Sequence, residues 1–379
     1  MTDFLSGIPT ELLLDIFGRE LGLSPTAAFS HTLLPIVRLN AWKNIRITRI
    51  RALGKLGRCL AVAPALGELI ESLEVLDDGK VDERAPRDVE GELLAFELMS
   101  KLRKLKITTP DLAGFLSAAR LRTQAFQHVH TLILHSEPSI PYSSLRHLHL
   151  AQSLRELIVT SPMRYSVGAP ASAFPTSSVH SLSISSEPSA EFTAFLSSLH
   201  SLSSLRLSST DPDVGRVFTA LGSRARSSLE RIDFTTFSHL SRNIDEALLD
   251  DFPRLEELEM YSSQCDMSPI FFRNLALAAP RLRRLHFRGP GAPSLEHIVD
   301  FLADPAFSAP ATLDTLSVDI GIGGGAKVVL WTEYRRSEEV SRLAEVCQAI
   351  GVRLEGSILV ALDLLKQEGN RGTAIRGES

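Results

Sequence analysis

The sequence predicts an α/β fold, a solenoid of stacked strand-and-helix layers with a parallel inner sheet and outer helices, preceded by a small helical module. Three observations predict it. A six-residue pattern, apolar-x-x-apolar-x-apolar, recurs ten times in near-constant phase between Ile70 and Val318. Its last two apolar positions lie two apart and so share one face of a short strand. Between the strands, apolar residues recur at spacings of three and four, which marks amphipathic helices. One strand and one helix cannot bury both faces alone, and stacking of neighbouring layers closes the core.

In chain order the pattern reads Ile70/Leu73/Val75, Leu102/Leu105/Ile107, Val129/Leu132/Leu134, Leu154/Leu157/Val159 and Val179/Leu182/Ile184. It continues as Leu202/Leu205/Leu207, Leu229/Ile232/Phe234, Leu255/Leu258/Met260, Leu282/Leu285/Phe287 and Leu313/Leu316/Val318. A further match, Leu145/Leu148/Leu150, stands nine residues before Leu154. That gap leaves no room for a return segment, so this match reads as the preceding convex element. Turn residues follow many strands, as at Thr109-Pro110, Ser161-Pro162, Glu187-Pro188, Thr210-Asp211-Pro212 and Gly289-Pro290-Gly291.

Return helices are predicted where one face gathers Leu112, Phe115, Leu116 and Ala119, and again at Phe192, Phe195, Leu196 and Leu199. Further ones gather Val214, Val217, Phe218 and Leu221, then Ile244, Ala247, Leu248 and Phe252, then Leu295, Ile298, Phe301 and Leu302. The Ser-, Pro- and Ala-rich stretch 161–178 reads as a loop. Ser337 to Ile350 reads as a helix with Val340, Leu343, Ala344 and Cys347 inward, and Val352-Arg353-Leu354 as a closing strand. The end, from Gly369, is expected to be frayed.

Residues 70 to 320 resemble the leucine-rich repeat family. Steps between the first positions run from 23 to 32 residues, and all but the first and last match that family's period. The family's Asn or Cys, three residues past the last strand leucine, is replaced here by Pro110, Glu137, Pro162, Glu187, Thr210, Phe237, Ser263, Pro290 and Gly321. A buried asparagine ladder is therefore missing, and irregular turns are expected.

At the N-terminus, Ile8, Leu12, Leu13, Ile16 and Phe17 form one apolar stripe, and Pro9 suits the first turn of a helix. The segment is similar to the opening of an F-box, whose pattern runs Leu-Pro-x-Glu-Leu-Leu-x-x-Ile-Phe. Ile8 stands for the leucine, while Pro9, Glu11, Leu12, Leu13, Ile16 and Phe17 match as they stand. Downstream, Val37-Arg38-Leu39-Asn40-Ala41-Trp42-Lys43 is similar to the module's Val-Cys-Arg-x-Trp-Arg segment, with Trp42 matching and the Cys and second Arg replaced.

The combined resemblance, to F-box proteins with leucine-rich repeats, implies a substrate-recognition subunit of an SCF-type cullin–RING ubiquitin ligase. Ile8, Pro9, Leu12, Leu13, Ile16 and Phe17 would bind a Skp-type adaptor within the cullin complex, and the repeats would bind a protein target. It implies no bond chemistry by the chain itself, hence no enzyme and no cofactor. The expected organisation is an F-box-like helical module over 1–48, a basic helical linker over 49–69, the repeat solenoid with its C-terminal cap over 70–354, and a C-terminal segment over 355–379. The alternative is a leucine-rich-repeat interaction scaffold outside ubiquitin chemistry, whose first helices merely cap the solenoid.

Strand positions between the apolar ones point off the inner sheet, because strands alternate faces. On this concave face the candidate partner-binding residues are Lys104, Lys106, Arg206, Arg231, Glu257, Glu259, Tyr261, Arg284, His286 and Arg288. Ile133, Ile158, Asp233 and Asp319 are inner-face positions too. Arg and Tyr are favoured at interface hot spots. The plainer alternative is a solvated face on which neighbouring strands pair Glu257 or Glu259 with Arg284 or Arg288.

The formal net charge of −5 argues against a dedicated nucleic-acid binder. Cys59, Cys265 and Cys347 are too scattered for a disulfide scaffold, and their odd count fits a reducing compartment. No apolar run reaches the ~18 residues of a membrane span, and no basic run opens a secretory signal. A cytoplasmic or nuclear protein is expected. Gly321-Ile322-Gly323-Gly324-Gly325-Ala326-Lys327 reads as a glycine-rich turn, because a strand-like run follows it where a phosphate cradle needs a helix. His128, His130, His147 and His149 lack companion ligands and read as turn or surface histidines, with no metal site.

Overall fold

The structure, a computed structural model, describes residues 42–77, 88–137, 139–164, 175, 177–186, 189–209, 221–240, 251–265, 267–289, 294–303, 309–320, 337–363 and 365. Its contacts divide the chain into two compact units, Met1–Pro170 with Phe174–Val179, and Ala171–Ala173 with His180–Ser379. Each is an α/β unit built on parallel strand pairing.

The first unit contains β1 (Asn44–Ile47), β2 (Ser72–Leu76), β3 (Lys104–Thr108), β4 (Thr131–His135), β5 (Ile140–Pro141) and β6 (Glu156–Arg164). β1, β2, β3, β4 and β6 pair in that order, and β5 joins the far end of β6. The register sets the repeated apolar residues side by side. Ile45, Leu73, Leu105, Leu132 and Leu157 make one row, and Ile47, Val75, Ile107, Leu134 and Val159 the next. Both rows are buried.

Between these strands lie α1 (Ile50–Val62), α2 (Pro64–Gly67), α3 (Val89–Leu98) and the short α4 (Leu112–Phe115), α5 (Ala118–Leu121) and α6 (Gln124–His128). α1 and α3 pack backbone against backbone. A Cβ added to Gly57 would overlap the Gly91 carbonyl oxygen. Asp88 starts α3 by accepting from Arg58 Nε at 2.7 Å and from the Gly91 N–H at 3.0 Å. Those two donors hold its carboxyl below the ordinary carboxylate value. Phe96 packs on Phe115 and Phe126, with ring centroids 5.7 and 5.2 Å away. Beside them Arg120 is bonded to Glu92, donates from Nη1 to the Gly114 carbonyl at 2.9 Å, and lies 4.8 Å over the Phe115 ring.

Three expectations are corrected in this unit. The sheet begins at residue 44 and not near 70, because Trp42/Ile45/Ile47 is itself a copy of the apolar-x-x-apolar-x-apolar pattern, and all three are buried. The stretch after it is helical as expected, and its first helix packs closely on α3. The Asp111–Leu121 return is not one helix. Ser117 is extended (φ −64°, ψ 151°) and restarts the phase, so Leu112, Phe115, Leu116 and Leu121 are buried while Ala119 is exposed. Ser161-Pro162 lies inside β6 and makes no turn. Pro162, which has no N–H to donate, falls between the stretch paired with β4 and the two residues paired with β5. Leu145 and Leu148 sit in 3₁₀ turns and not in a strand, as their spacing requires.

The second unit contains β7 (Ser181–Ser186), β8 (Ser204–Ser209), β9 (Arg231–Leu240), β10 (Glu257–Cys265), β11 (Arg284–Gly289), β12 (Thr315–Ile320) and β13 (Arg353–Glu355). They pair in chain order, all parallel. Leu182, Leu205, Ile232, Leu258, Leu285 and Leu316 form one buried row, and Ile184, Leu207, Phe234, Met260, Phe287 and Val318 another.

Its helices are α7 (Ala190–Ser197), α8 (Ser223–Ser228), α9 (Pro269–Ala278), α10 (Leu295–Ala303) and α11 (Ser337–Ile350). Ser189 and Ser268 cap α7 and α9 by accepting from the Phe192 and Ile270 N–H groups at 3.0 and 3.1 Å. The predicted inward residues Phe192, Phe195, Leu196, Leu199, Leu295, Ile298, Phe301, Leu302, Val340, Leu343 and Cys347 are buried, and Ala344 is half-buried. Burial pushes the Cys347 thiol up to about 11. The predicted closing strand is β13. Apart from buried Leu221 and Phe252, the helices expected near 214–221 and 244–252 lie outside the described residues, as does the glycine-rich 321–327.

Two hydrogen-bond ladders stitch the layers where an asparagine ladder is missing. The residue before each strand donates its N–H to the equivalent carbonyl one layer back. In the first unit this links Glu71 to Lys43, Arg103 to Glu71, His130 to Arg103 and Arg155 to His130 at 2.7–2.9 Å. In the second it runs from Ser203 on His180 through Glu230, Glu256 and Arg283 to Asp314, at 2.8–2.9 Å. A side-chain ladder supplements it. The hydroxyls of Ser178, Ser228 and Thr312 donate to the Leu154, Leu202 and Leu282 carbonyls at 3.0, 2.8 and 2.8 Å. Backbone carbonyls buried at layer ends thus find donors. Among the described residues no helix is long and apolar enough to cross a membrane.

Candidate protein-interaction face

Residues alternating with the buried rows stand on the other side of each sheet. In the first unit one row of this open face is Ser72, Lys104, Thr131 and Glu156, and the next is Arg46, Glu74, Lys106, Ile133 and Ile158. Glu74 accepts from Arg46 at 3.3 Å and from Lys106 at 2.5 Å. Thr131 donates its hydroxyl to Glu156 at 2.9 Å. Lys104 is exposed and makes no ion pair among the described residues.

In the second unit the same alternation builds a charge network. Arg206 pairs with Asp233 at 2.5 Å, and Glu257 lies between Arg231 at 4.0 Å and Arg284 at 3.1 Å. Glu259 pairs with Arg288 at 2.6 Å. The His286 ring stands between Asp319, 3.0 Å from Nε2, and Glu259, 4.0 Å from Nδ1. Tyr261 is half-buried at the end of this array, in register with Thr235 and Arg288. Of the pairings that the plainer alternative allows between Glu257 or Glu259 and Arg284 or Arg288, Glu257 with Arg284 and Glu259 with Arg288 are present.

The register explains the pattern, because Glu257 is the direct neighbour of Arg231 and Arg284. In each Arg or Lys pair of these open strands the carboxylate is the more covered partner. Arg206 is 68% exposed and its partner Asp233 21%. The longer cationic side chains reach over the shorter acids, so their paired heads stay the more exposed. Exposed pairs of this kind contribute about 0–1 kcal/mol each. Their consequence is an ordered set of outward-facing guanidinium donors rather than stability.

Asp319 also joins two elements. Its Oδ1 accepts from the Ser357 N–H at 2.9 Å while Oδ2 faces His286. Burial by itself raises this carboxyl, but Ser357, His286 and Arg288 together outweigh it and hold the group below its ordinary value.

The remaining predicted positions sort simply. Ile8, Pro9, Leu12, Leu13, Ile16 and Phe17 lie outside the described residues. His130 and His149 each place Nδ1 against a nearby carbonyl, of His128 at 2.6 Å and of Arg146 at 3.1 Å. Burial and the neighbouring Arg146 lower the pKa of His147. Among the described residues no three His, Cys, Asp or Glu side chains gather as metal ligands.

Sequence reasoning missed Arg46 and Glu74 on the open face, although the Trp42/Ile45/Ile47 pattern signals the layer of the first and Ile70/Leu73/Val75 that of the second. It also missed Glu92 and Arg120, whose meeting across 28 positions leaves no local mark. No protein-family model matches the chain, and no curated protein matches it.

Proposed function

We propose that this chain is the target-binding subunit of an SCF-type cullin–RING ubiquitin ligase, holding a protein target on the open strand face while residues 8–17 dock a Skp-type adaptor. One observation carries the target-binding half. Successive parallel strands, in register across the repeated apolar positions, turn alternate side chains onto a face rich in outward-pointing arginines. Exposed guanidinium groups, each anchored by a neighbouring acid, present their remaining donors to a protein surface. The docking half is supported by the F-box-like residues Ile8, Pro9, Glu11, Leu12, Leu13, Ile16 and Phe17. In this reading the chain breaks no bond. It raises the effective concentration of target beside a ubiquitin-loaded enzyme in cytoplasm or nucleus.

The test is retention of a purified Skp-type adaptor by the full-length chain. The wild type retains it, and Leu12→Asp with Ile16→Asp weakens retention about tenfold or more. Failure of the wild type to bind leaves a second reading, a repeat scaffold with no ubiquitin role. A specific observation favours that reading. Trp42, which matches the later part of the F-box pattern, is buried at the head of β1 and belongs to the first strand layer.

A further inference from the structure

The open face of the first unit sets an apolar pair beside an unspent positive charge. Ile133 and Ile158 are register partners on β4 and β6, and both remain partly exposed. β-Branched residues suit strands, but two of them side by side on the face opposite the buried rows leave apolar surface in water. Polar groups surround them. Thr131 is tied to Glu156, and Thr160 Oγ1 lies 3.0 Å from His135 Nδ1. An apolar centre with a polar rim is the arrangement in which hot spots form. On the β3 side Lys106 is engaged with Glu74, whereas Lys104 is exposed without an ion pair among the described residues. On the β6 side stands the carboxylate of Glu156. The local field thus runs from positive over β3 to negative beside β6.

We infer that this face takes an extended peptide segment, with a bulky apolar side chain seated on Ile133 and Ile158 and a carboxylate over Lys104. Adjacent strands lie ~4.8 Å apart and two residues advance ~6.7 Å along a strand, so the two positions are about 8 Å apart on the diagonal. An extended chain covers that distance in two or three residues. The acid and the apolar residue therefore stand two or three positions apart, with the acid toward β3 because Glu156 repels it from the other side. This inference rests on the target-binding half of the proposed function and specifies the chemistry that half recognises.

The test is selection of phage-displayed random dodecapeptides on the full-length chain. Enriched peptides are expected to carry Asp or Glu two or three positions from Leu, Ile, Phe or Trp. A synthetic enriched peptide is expected to bind about tenfold more weakly, or worse, to Ile133→Asp. Lys104→Glu, a surface change that leaves the buried rows intact, is expected to exchange the acidic preference for a basic one while keeping the apolar residue. Peptides without the paired acid and apolar residue, or binding unmoved by both substitutions, would overturn the inference. Binding that responds to Arg284→Glu in place of these also overturns it, and leaves the target-binding reading standing on the second unit. Loss of adaptor binding has no bearing on this selection, so the two failures are distinguishable.

Discussion

Asp319 ties β12 to the turn at Ser357 with one oxygen and faces His286 with the other. Its carboxyl is held below the ordinary value, so its ionised form is favoured by folding. Such a group contributes stability in full above about pH 4, near its unfolded value, and loses that contribution as pH falls through its lower folded value. Asp319→Asn is expected to cost about 1 kcal/mol at pH 7, a modest figure because the side chain is 37% exposed and screened. Urea unfolding across a pH series checks this. The gap between wild type and variant should close below about pH 4, and a gap constant with pH would assign the effect to shape and not to charge. Glu92 and Arg120 present the opposite case at the same scale. With side chains only 0% and 4% exposed, the pair is covered on all sides, and removing either partner of such a pair costs about 3–5 kcal/mol through the uncompensated charge left behind.

Among the elements, the crossing of α1 on α3 depends on side chains that are absent. Gly54, Gly57 and Gly91 let two backbones approach, and a methyl at Gly57 meets the backbone of α3 with no flexible atom to give way. Gly57→Ala is expected to destabilise the first unit by about 2–3 kcal/mol. Gly222→Ala is the control, since its added Cβ would meet only Ser197 O, at 3.8 Å. Thermal unfolding of both variants checks the contrast, and equal melting temperatures would refute the close-packed crossing. This crossing was partly legible beforehand. Gly54 and Gly57, three apart in a run with an apolar stripe, share one helix face. The sequence predicts the helix and its basic residues, and the close packing on α3 is what the structure adds. Lys55 and Arg58 are exposed, Arg58 reaching Asp88 at the start of α3, while Leu53, Leu56 and Leu60 are buried.

Within each unit, neighbouring layers are coupled by strand pairing and by interlayer hydrogen bonds, so stability spreads by nearest-neighbour contact. Leu285→Ala, in the buried row of β11, is expected to cost about 2–5 kcal/mol. Hydrogen exchange should show the greatest loss of amide protection in β10, β11 and β12, with less toward β7. A uniform loss across the second unit would indicate one cooperative block in place of coupled layers.

The sequence by itself determined the repeat period, the strands from β2 to β12 that carry the repeated pattern, the side chains on each face, and that the acids of β10 stand beside the arginines of β11. These follow from alternation and spacing, which are local properties once neighbouring layers are in register. Only the tertiary structure decided that the sheet starts at Asn44, that the 111–121 return breaks at Ser117, that hydroxyls such as those of Ser228 and Thr312 bridge layers, and that Arg120 finds Glu92. Each of those depends on which groups must be satisfied when distant segments are pressed together and water is excluded, and no spacing along the chain encodes that.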